Sequence, residues 1–98
     1  MSSIANIAGS ALQAFNTSQQ VTAHNVANLN TDGFKASKAT FQENGNGGVN
    51  STVSGTQDTV DISREAVNLL SNTAGFKANL KVLKAADEMT KELLSIKA

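Results

Sequence analysis

The last third of the chain constrains the fold most, because its sequence predicts a helix that is very long for a protein of this size. From residue 61 to residue 97, apolar side chains recur every three or four positions, and the chain contains no proline that would interrupt them. At about 1.5 Å per residue, such a helix is ~50 Å long. A compact globule of 98 residues cannot enclose it. We therefore expect either a hairpin of two long helices or helices that pack on other subunits.

The apolar positions of this C-terminal helix alternate in steps of three and four, which is typical of a coiled-coil seam. Asp61 is a suitable N-cap, and Glu65 lies in the first turn, where a negative charge suits the helix dipole. Polar side chains interrupt the seam at several positions, so it is imperfect. The predicted seam consists of Ile62, Ala66, Leu69, Thr73, Phe76, Leu80, Leu83, Asp87, Thr90 and Leu94.

A second helical pattern occupies the N-terminal third of the chain, roughly residues 3–30, with apolar residues again three and four positions apart. No formally charged residue precedes Asp32, so this helix has no ion pairs between positions i and i+4, and its intrinsic stability should be low. The run from Asn28 to Gly33 should end the helix, because glycine can adopt the positive φ that a helix C-cap or a turn requires.

The middle segment, residues 34–60, predicts no helix. Residues 34–41 alternate weakly and predict an extended stretch, and the Asn-Gly pair at Asn44 is a strong hairpin-turn signal. Residues 49–60 predict an irregular loop or a short second strand. The segments 1–33, 34–60 and 61–98 together predict one domain of the mainly α class. Two long antiparallel, coiled-coil-like helices are joined in it by an irregular or short β-hairpin segment.

The composition excludes most kinds of chemical site. Eight basic and eight acidic residues cancel, which argues against a nucleic-acid-binding module. The chain has no cysteine and a single histidine, so cysteine nucleophiles and cysteine or multi-histidine metal sites are excluded. Neither a G-x-S-x-G motif nor a phosphate-binding Gly-Lys-Ser/Thr loop is present. We therefore expect no catalytic, cofactor or metal site, no small-molecule substrate and no enzymatic activity.

Small and polar residues dominate instead. Ala, Asn, Ser and Thr make up 44 of the 98 residues, a composition that gives a weak monomeric core and favours burial against a partner. No stretch approaches the roughly 20 apolar residues of a membrane span, and the first residues lack the basic region of a secretory signal. The absence of Lys and Arg from residues 1–31 also disfavours an amphipathic helix on a membrane surface.

Two segments stand out against this background. The pattern of the first consists of Asn25, Ala27, Asn28, Thr31, Gly33, Phe34 and Lys35, and that of the second of Ala78, Asn79, Asp87, Glu88 and Met89. The first closely resembles the N-terminal signature of the bacterial flagellar rod and hook proteins, roughly N-I-A-N-x-x-T-x-G-[FY]-[KR]. The second resembles the C-terminal helix of the same family, and the two occur in the order that the family shows.

The resemblance implies a short rod-like member of the flagellar basal-body rod and hook family of axial proteins. Its N- and C-terminal helices would pair to form the inner core of a tubular structure in which many copies stack helically. The chain would leave the cytoplasm unfolded through the flagellar type III export apparatus, without a cleaved signal peptide, and would fold as it assembles in the basal body. Its partners would be itself, other rod and hook proteins and the export apparatus, with no enzymatic activity and no cofactor.

The sequence departs from the family in the stretch 73–76, where family members often carry a Gln-Arg-Ala-Tyr-like run. Its middle segment is also too small to form the large outer domain of hook and distal-rod members.

We expect the motif residues around Gly33 to fix the bend where the chain leaves the core. The apolar residues of the two helices should form the intramolecular pair and the subunit contacts. These interface residues are Ile4, Ile7, Leu12, Phe15, Val26, Leu29, Ile62, Leu69, Phe76, Leu80, Leu83 and Leu94.

An alternative hypothesis is a free-standing helical-hairpin adaptor, which would form a closed oligomer and bind a partner helix in a groove. The two hypotheses differ in how association depends on concentration. A discrete oligomer at every concentration would favour the adaptor, whereas open-ended growth would favour an axial subunit, because heterologous contacts need not close.

Overall fold

In the computed structural model, which describes residues 2–97, two long helices are joined by a two-stranded antiparallel hairpin. The elements in chain order are α1 (Ser2–Ala27), β1 (Ser37–Glu43), β2 (Val49–Gly55) and α2 (Ile62–Lys97). The predicted mainly α fold with two long helices is confirmed, and the middle segment takes the form of a hairpin. All seven residues of β1 pair with β2, from Ser37 opposite Gly55 to Glu43 opposite Val49.

The two helices run antiparallel. Asn25, near the end of α1, contacts Glu65 in the first turns of α2, and Ala5, near the start of α1, lies beside Leu83 towards the other end of α2. The molecule is elongated, with extents of 63 × 25 × 14 Å. This shape agrees with the expectation that the C-terminal helix is too long for a compact globule.

The turn of the hairpin is organised by Asn44. Its side-chain Oδ1 accepts hydrogen bonds from the backbone N–H groups of Asn46 (2.9 Å) and Gly48 (3.0 Å), which is an Asx-type turn. Gly47 adopts a φ of 81°, a backbone conformation that residues with a Cβ rarely adopt. The turn therefore lies at the Asn-Gly signal, in a loop of the five residues 44–48.

The hairpin lies on α1, and neither strand packs on α2 within the described residues. Ser10 on α1 fixes the hairpin tip, because its Oγ accepts a hydrogen bond from the backbone N–H of Val49 (2.9 Å) and donates one to the backbone oxygen of Ile7 (2.7 Å). The loop approaches α1 so closely that a Cβ on Gly48 would stand 2.8 Å from the Ser10 Oγ. α1 is therefore the central element, with α2 and the hairpin packed against it.

Few apolar side chains are buried. Among the described residues, the buried apolar positions are Ala8, Ala14, Ala36 and Ala86, and four polar residues are buried with them, namely Thr22, Asn25, Glu65 and Asn72. Every buried polar side-chain atom in the described part of the chain has a hydrogen-bond partner. The weak core that the composition predicts is thus present. Hydrogen-bonded polar side chains make up half of it, where aliphatic side chains are usual.

The face of α2 that contacts α1 is rotated from the predicted seam. The structure buries Glu65, Asn72 and Ala86, which are spaced by multiples of seven, whereas Leu80 and Asp87 from the predicted seam remain exposed. The reason is the chemistry of α1, which offers polar groups at the contact. For example, Gln19 accepts a hydrogen bond from Asn72, and Asn25 donates one to Glu65. The spacing of apolar residues along the sequence does not reveal such hydrogen-bonded pairs of polar side chains.

Candidate assembly interface

The N-terminal motif forms a compact bend at the end of α1. The Asn28 side-chain Nδ2 donates to the backbone oxygen of His24 (2.9 Å), which also accepts a hydrogen bond from the Asn28 backbone N–H (3.2 Å). Thr31 donates from its Oγ1 to the Asn28 Oδ1 (3.2 Å), and the backbone N–H of Phe34 donates to the Thr31 oxygen (3.2 Å). Gly33 has a φ of 76°. Helix α1 therefore stops at Ala27, slightly earlier than predicted, and the motif turns the chain towards β1.

Phe34 closes this bend by packing on the helix that precedes it. Its ring meets the imidazole of His24 edge to face, with ring centroids 5.3 Å apart. The other two motif residues nearby, Ala27 and Lys35, are exposed, and no side-chain hydrogen bond of Lys35 is present in the described structure. The motif thus combines a structural bend with an exposed outer surface.

Asn25 joins α1 to two other elements. The residue is only 1% exposed. Its Oδ1 accepts a hydrogen bond from the backbone N–H of Ser37 (2.9 Å), and its Nδ2 donates to the Ser37 oxygen (2.8 Å) and to the Glu65 Oε1 (3.1 Å). The amide therefore binds the first residue of β1 as a neighbouring strand would, and it also holds α2. No apolar residue could replace these three contacts.

The base of the hairpin leads directly into α2. The backbone oxygen of Ala36 accepts hydrogen bonds from the N–H (2.9 Å) and the Oγ1 (2.7 Å) of Thr56, and the Ala36 N–H donates to the Asp58 oxygen (2.8 Å). Asp61 then caps α2, because its Oδ1 accepts from the N–H groups of Ser63 (3.0 Å) and Arg64 (3.3 Å). The predicted N-cap is confirmed.

An aromatic contact connects α1 to both of its neighbours. The ring of Phe15 lies edge to face with Phe41 on β1, with centroids 5.2 Å apart, and its far end lies over Gly75 on α2. A Cβ on Gly75 would overlap the tip of the Phe15 ring, so the glycine provides the space that the ring occupies. Sequence reasoning noted this stretch only as a departure from the family and missed its role. The signal available was a glycine inside a helical pattern.

The C-terminal motif does not form a single cluster. Asn79 is half-buried and donates from its Nδ2 to the Gly75 oxygen one turn earlier (2.8 Å). Asp87 makes a surface ion pair with Lys91 at 3.2 Å. The remaining motif residues, Ala78, Glu88 and Met89, are exposed along α2.

The structure divides the twelve predicted interface residues into two groups. Four are half-buried, namely Leu12, Phe15, Phe76 and Leu83. Eight are exposed on the described chain, from 39% for Ile7 to 63% for Leu94, and the other six are Ile4, Val26, Leu29, Ile62, Leu69 and Leu80. Further large apolar side chains that sequence reasoning did not select are also exposed, including Leu70 and Ile96. Most of the large apolar side chains of α2, and half of those of α1, are therefore exposed.

Other kinds of site find no support in residues 2–97. That part of the chain contains no group of three or more His, Cys, Asp or Glu side chains arranged to hold a metal ion. Across the same range, neither helix is long and apolar enough to cross a membrane.

Two family matches cover most of the chain. Residues 5–35 match the family described as flagella basal body rod protein, and residues 57–96 match the one described as flagellar basal body rod FlgEFG protein C-terminal. A search of the curated proteins found no significant match. The first match covers most of α1 and the whole bend, and the second covers α2 almost completely, so the hairpin lies between them. The chain therefore belongs to the flagellar basal body rod protein family and is a structural component of the rod.

Proposed function

We propose that this protein is an axial subunit that assembles with copies of itself and with other rod proteins through its paired helices, in an open-ended helical array. One observation carries the proposal. In the described residues the buried apolar side chains are four alanines, whereas sixteen large apolar side chains are exposed. Full burial of one such side chain contributes roughly 1.5–3 kcal/mol. Association would therefore supply stability that the single chain lacks.

The two groups of interface residues have different roles in this proposal. The half-buried group, which includes Phe15 and Phe76, holds α1 and α2 together within one subunit. The eight exposed residues make the contacts between subunits.

Residues 1–98 act as a single domain in this proposal. The support for this is that α1 contacts both the hairpin and α2, and that no described element stands apart from it.

Sedimentation velocity over a wide range of concentrations, with circular dichroism on the same samples, tests the assembly. We expect species that grow without a fixed size and gain helix as concentration rises. Leu94→Ser should reduce this growth and leave the helicity of the dilute protein unchanged. Val53→Ser, at a comparably exposed position on the hairpin, is the matched control. One species of fixed size at every concentration would instead support the closed helical-hairpin adaptor.

Export in an unfolded form is also part of the proposal. A chain with so small a core has little free energy of unfolding to overcome, and without cysteine it has no disulfide that would hold it folded. Both features suit passage through the type III export apparatus. We expect the protein to leave cells that have a working flagellar export apparatus and to be retained when that apparatus is disabled. Equal secretion from both kinds of cell would contradict this route.

A further inference from the structure

An open apolar groove runs along one side of the α1–α2 pair. It consists of two adjoining cavities that share Leu80 and together extend along α2 from Thr73 to Thr90. On α1 the groove is bounded by Ala5 at one end and Gln19 at the other. Its walls are mainly apolar and it is open to solvent along its length.

The groove is lined by residues of the predicted α2 seam that α1 leaves exposed or covers only in part. Thr73, Leu80 and Asp87 repeat every seven residues along it, and Phe76 and Leu83 lie between them. A seven-residue repeat with apolar core positions is the pattern by which one helix packs on another, and Phe76, Leu80 and Leu83 are its apolar members here. Because α1 borders the groove and the rest of it is open to solvent, the groove can receive a third helix.

The last turns of α2 carry an apolar stripe that the described residues leave without a partner. The stripe consists of Met89, Leu93 and Ile96, spaced by four and three residues, and these side chains are 56%, 52% and 78% exposed. The shallow cavity around Met89 and Leu93 is lined by α2 residues alone. The spacing places the three side chains on one face of the helix.

The charges beside the two surfaces are opposite. Lys77 and Lys84 line the groove, whereas Glu88 and Glu92 flank the stripe. The acidic residue of the groove, Asp87, already has a cationic neighbour in Lys91, 3.2 Å away. A stripe placed in the groove would therefore bring two carboxylates towards two ammonium groups, while its apolar side chains cover Leu80.

We propose that the stripe of one copy docks as a third helix in the groove of the next copy. This inference rests on the proposed function and specifies which surfaces make the self-contact. The stripe and the groove belong to different parts of the same chain, so the contact is heterologous and leaves a free stripe and a free groove at the ends of every assembly. Growth along one direction follows from this arrangement.

Cysteine cross-linking tests which surfaces meet, since the natural chain contains no cysteine. Leu80→Cys and Leu93→Cys are prepared as separate variants and oxidised alone and as a mixture. We expect a disulfide-linked dimer of the two variants only in the mixture. A mixture of Val53→Cys with Leu93→Cys is the control and should give none. Cross-linking of Leu93→Cys with itself as efficient as in the mixture would show that two stripes pair, which would overturn the proposal.

Charge reversal gives a second test by a different readout. The double variant Glu88→Lys/Glu92→Lys should raise the concentration needed for half-association about tenfold, because two attractive pairs become repulsive. Adding Lys77→Glu and Lys84→Glu to the same chain should restore the original value. Glu43→Lys, which reverses a single carboxylate on the hairpin, away from both surfaces, should have no effect.

The outcomes separate this inference from the proposed function. If the natural chain grows with concentration but the 80–93 cross-link does not form, or the reversed charges do not rescue association, the groove docking is wrong and the axial role stands. If the natural chain does not associate at any concentration, the proposed function fails, and this inference fails with it.

Discussion

Asn25 and Asn28 lie three residues apart in the same motif and do different work. Asn28 caps the end of α1 through its contact with the His24 carbonyl, as the position of an asparagine near a helix end predicts. Asn25 instead binds Ser37 and Glu65, which are 12 and 40 positions away along the chain. Sequence reasoning placed both residues in the motif but could not find the second role, because no local pattern links residues so far apart.

Asn25→Ala should lower the free energy of unfolding by about 1–3 kcal/mol. The reason is that the Ser37 backbone groups and the Glu65 carboxylate lose their buried hydrogen-bond partner. Asn30→Ala is the matched control, since Asn30 is exposed and makes no side-chain hydrogen bond in the described structure, and it should change stability by less than about 0.5 kcal/mol. Urea unfolding followed by circular dichroism measures both variants. Equal losses in the two would show that Asn25 does not hold the elements together.

Gly33→Val should weaken rod assembly and destabilise the bend. The φ of 76° at this position disfavours any side chain with a Cβ, and a β-branched one most strongly, at a cost of roughly 1–2 kcal/mol. Gly55→Val provides the comparison, because Gly55 is exposed at the end of β2, has no positive φ, and a Cβ added to it would meet no atom within 4 Å. Motility assays and urea unfolding would both register the difference. Unchanged motility in Gly33→Val would count against the role of the bend in assembly.

At the scale of elements, the sequence predicts the type and length of the helices and the position of the hairpin. It does not predict which face of one helix contacts the other. The two helices and the position of the hairpin turn follow from periodicity, the absence of proline and the Asn-Gly pair. The side of α2 that faces α1 does not follow from them. It is determined by the hydrogen bonds of Glu65 and Asn72 and by the space at Gly75, where the Phe15 ring enters. These are pairings between distant residues, which a single sequence does not reveal.

Substitution of two helix glycines by alanine should have opposite effects. Gly9→Ala should stabilise the fold by about 0.5–1 kcal/mol, because a Cβ there meets nothing within 4 Å and alanine favours the helix. Gly75→Ala should destabilise it, because its Cβ would displace the Phe15 ring and disturb the contact with Phe41. Thermal unfolding compares the two directly. The double variant Gly75→Ala/Phe15→Leu should recover part of the loss, and a stable Gly75→Ala protein would mean that the ring can move freely.

At the scale of the whole molecule, both the elongated shape and the composition leave large apolar side chains exposed. A body 63 Å long and 14 Å thin has little interior, and side chains such as Leu70 and Ile96 stay in solvent. The length of the predicted helix and the richness in small polar residues indicated this outcome. They did not indicate how the exposed apolar surface is distributed, because that depends on which face of α2 is occupied by α1.

Hydrogen exchange should therefore show two regions of α2 with different responses to concentration. In dilute protein, the turns around Asn72 pack on α1 and should exchange slowly. Residues 89–96 should exchange quickly, because all of their side chains except that of Thr90 are exposed and only α2 residues line the cavity at Met89 and Leu93. At concentrations where the protein associates, residues 89–96 should gain protection, and so should the backbone near Leu80. The turns around Asn72 should change little and serve as the internal reference. Protection that rises uniformly along α2 would instead mean that association stabilises the whole subunit without a contact confined to these surfaces.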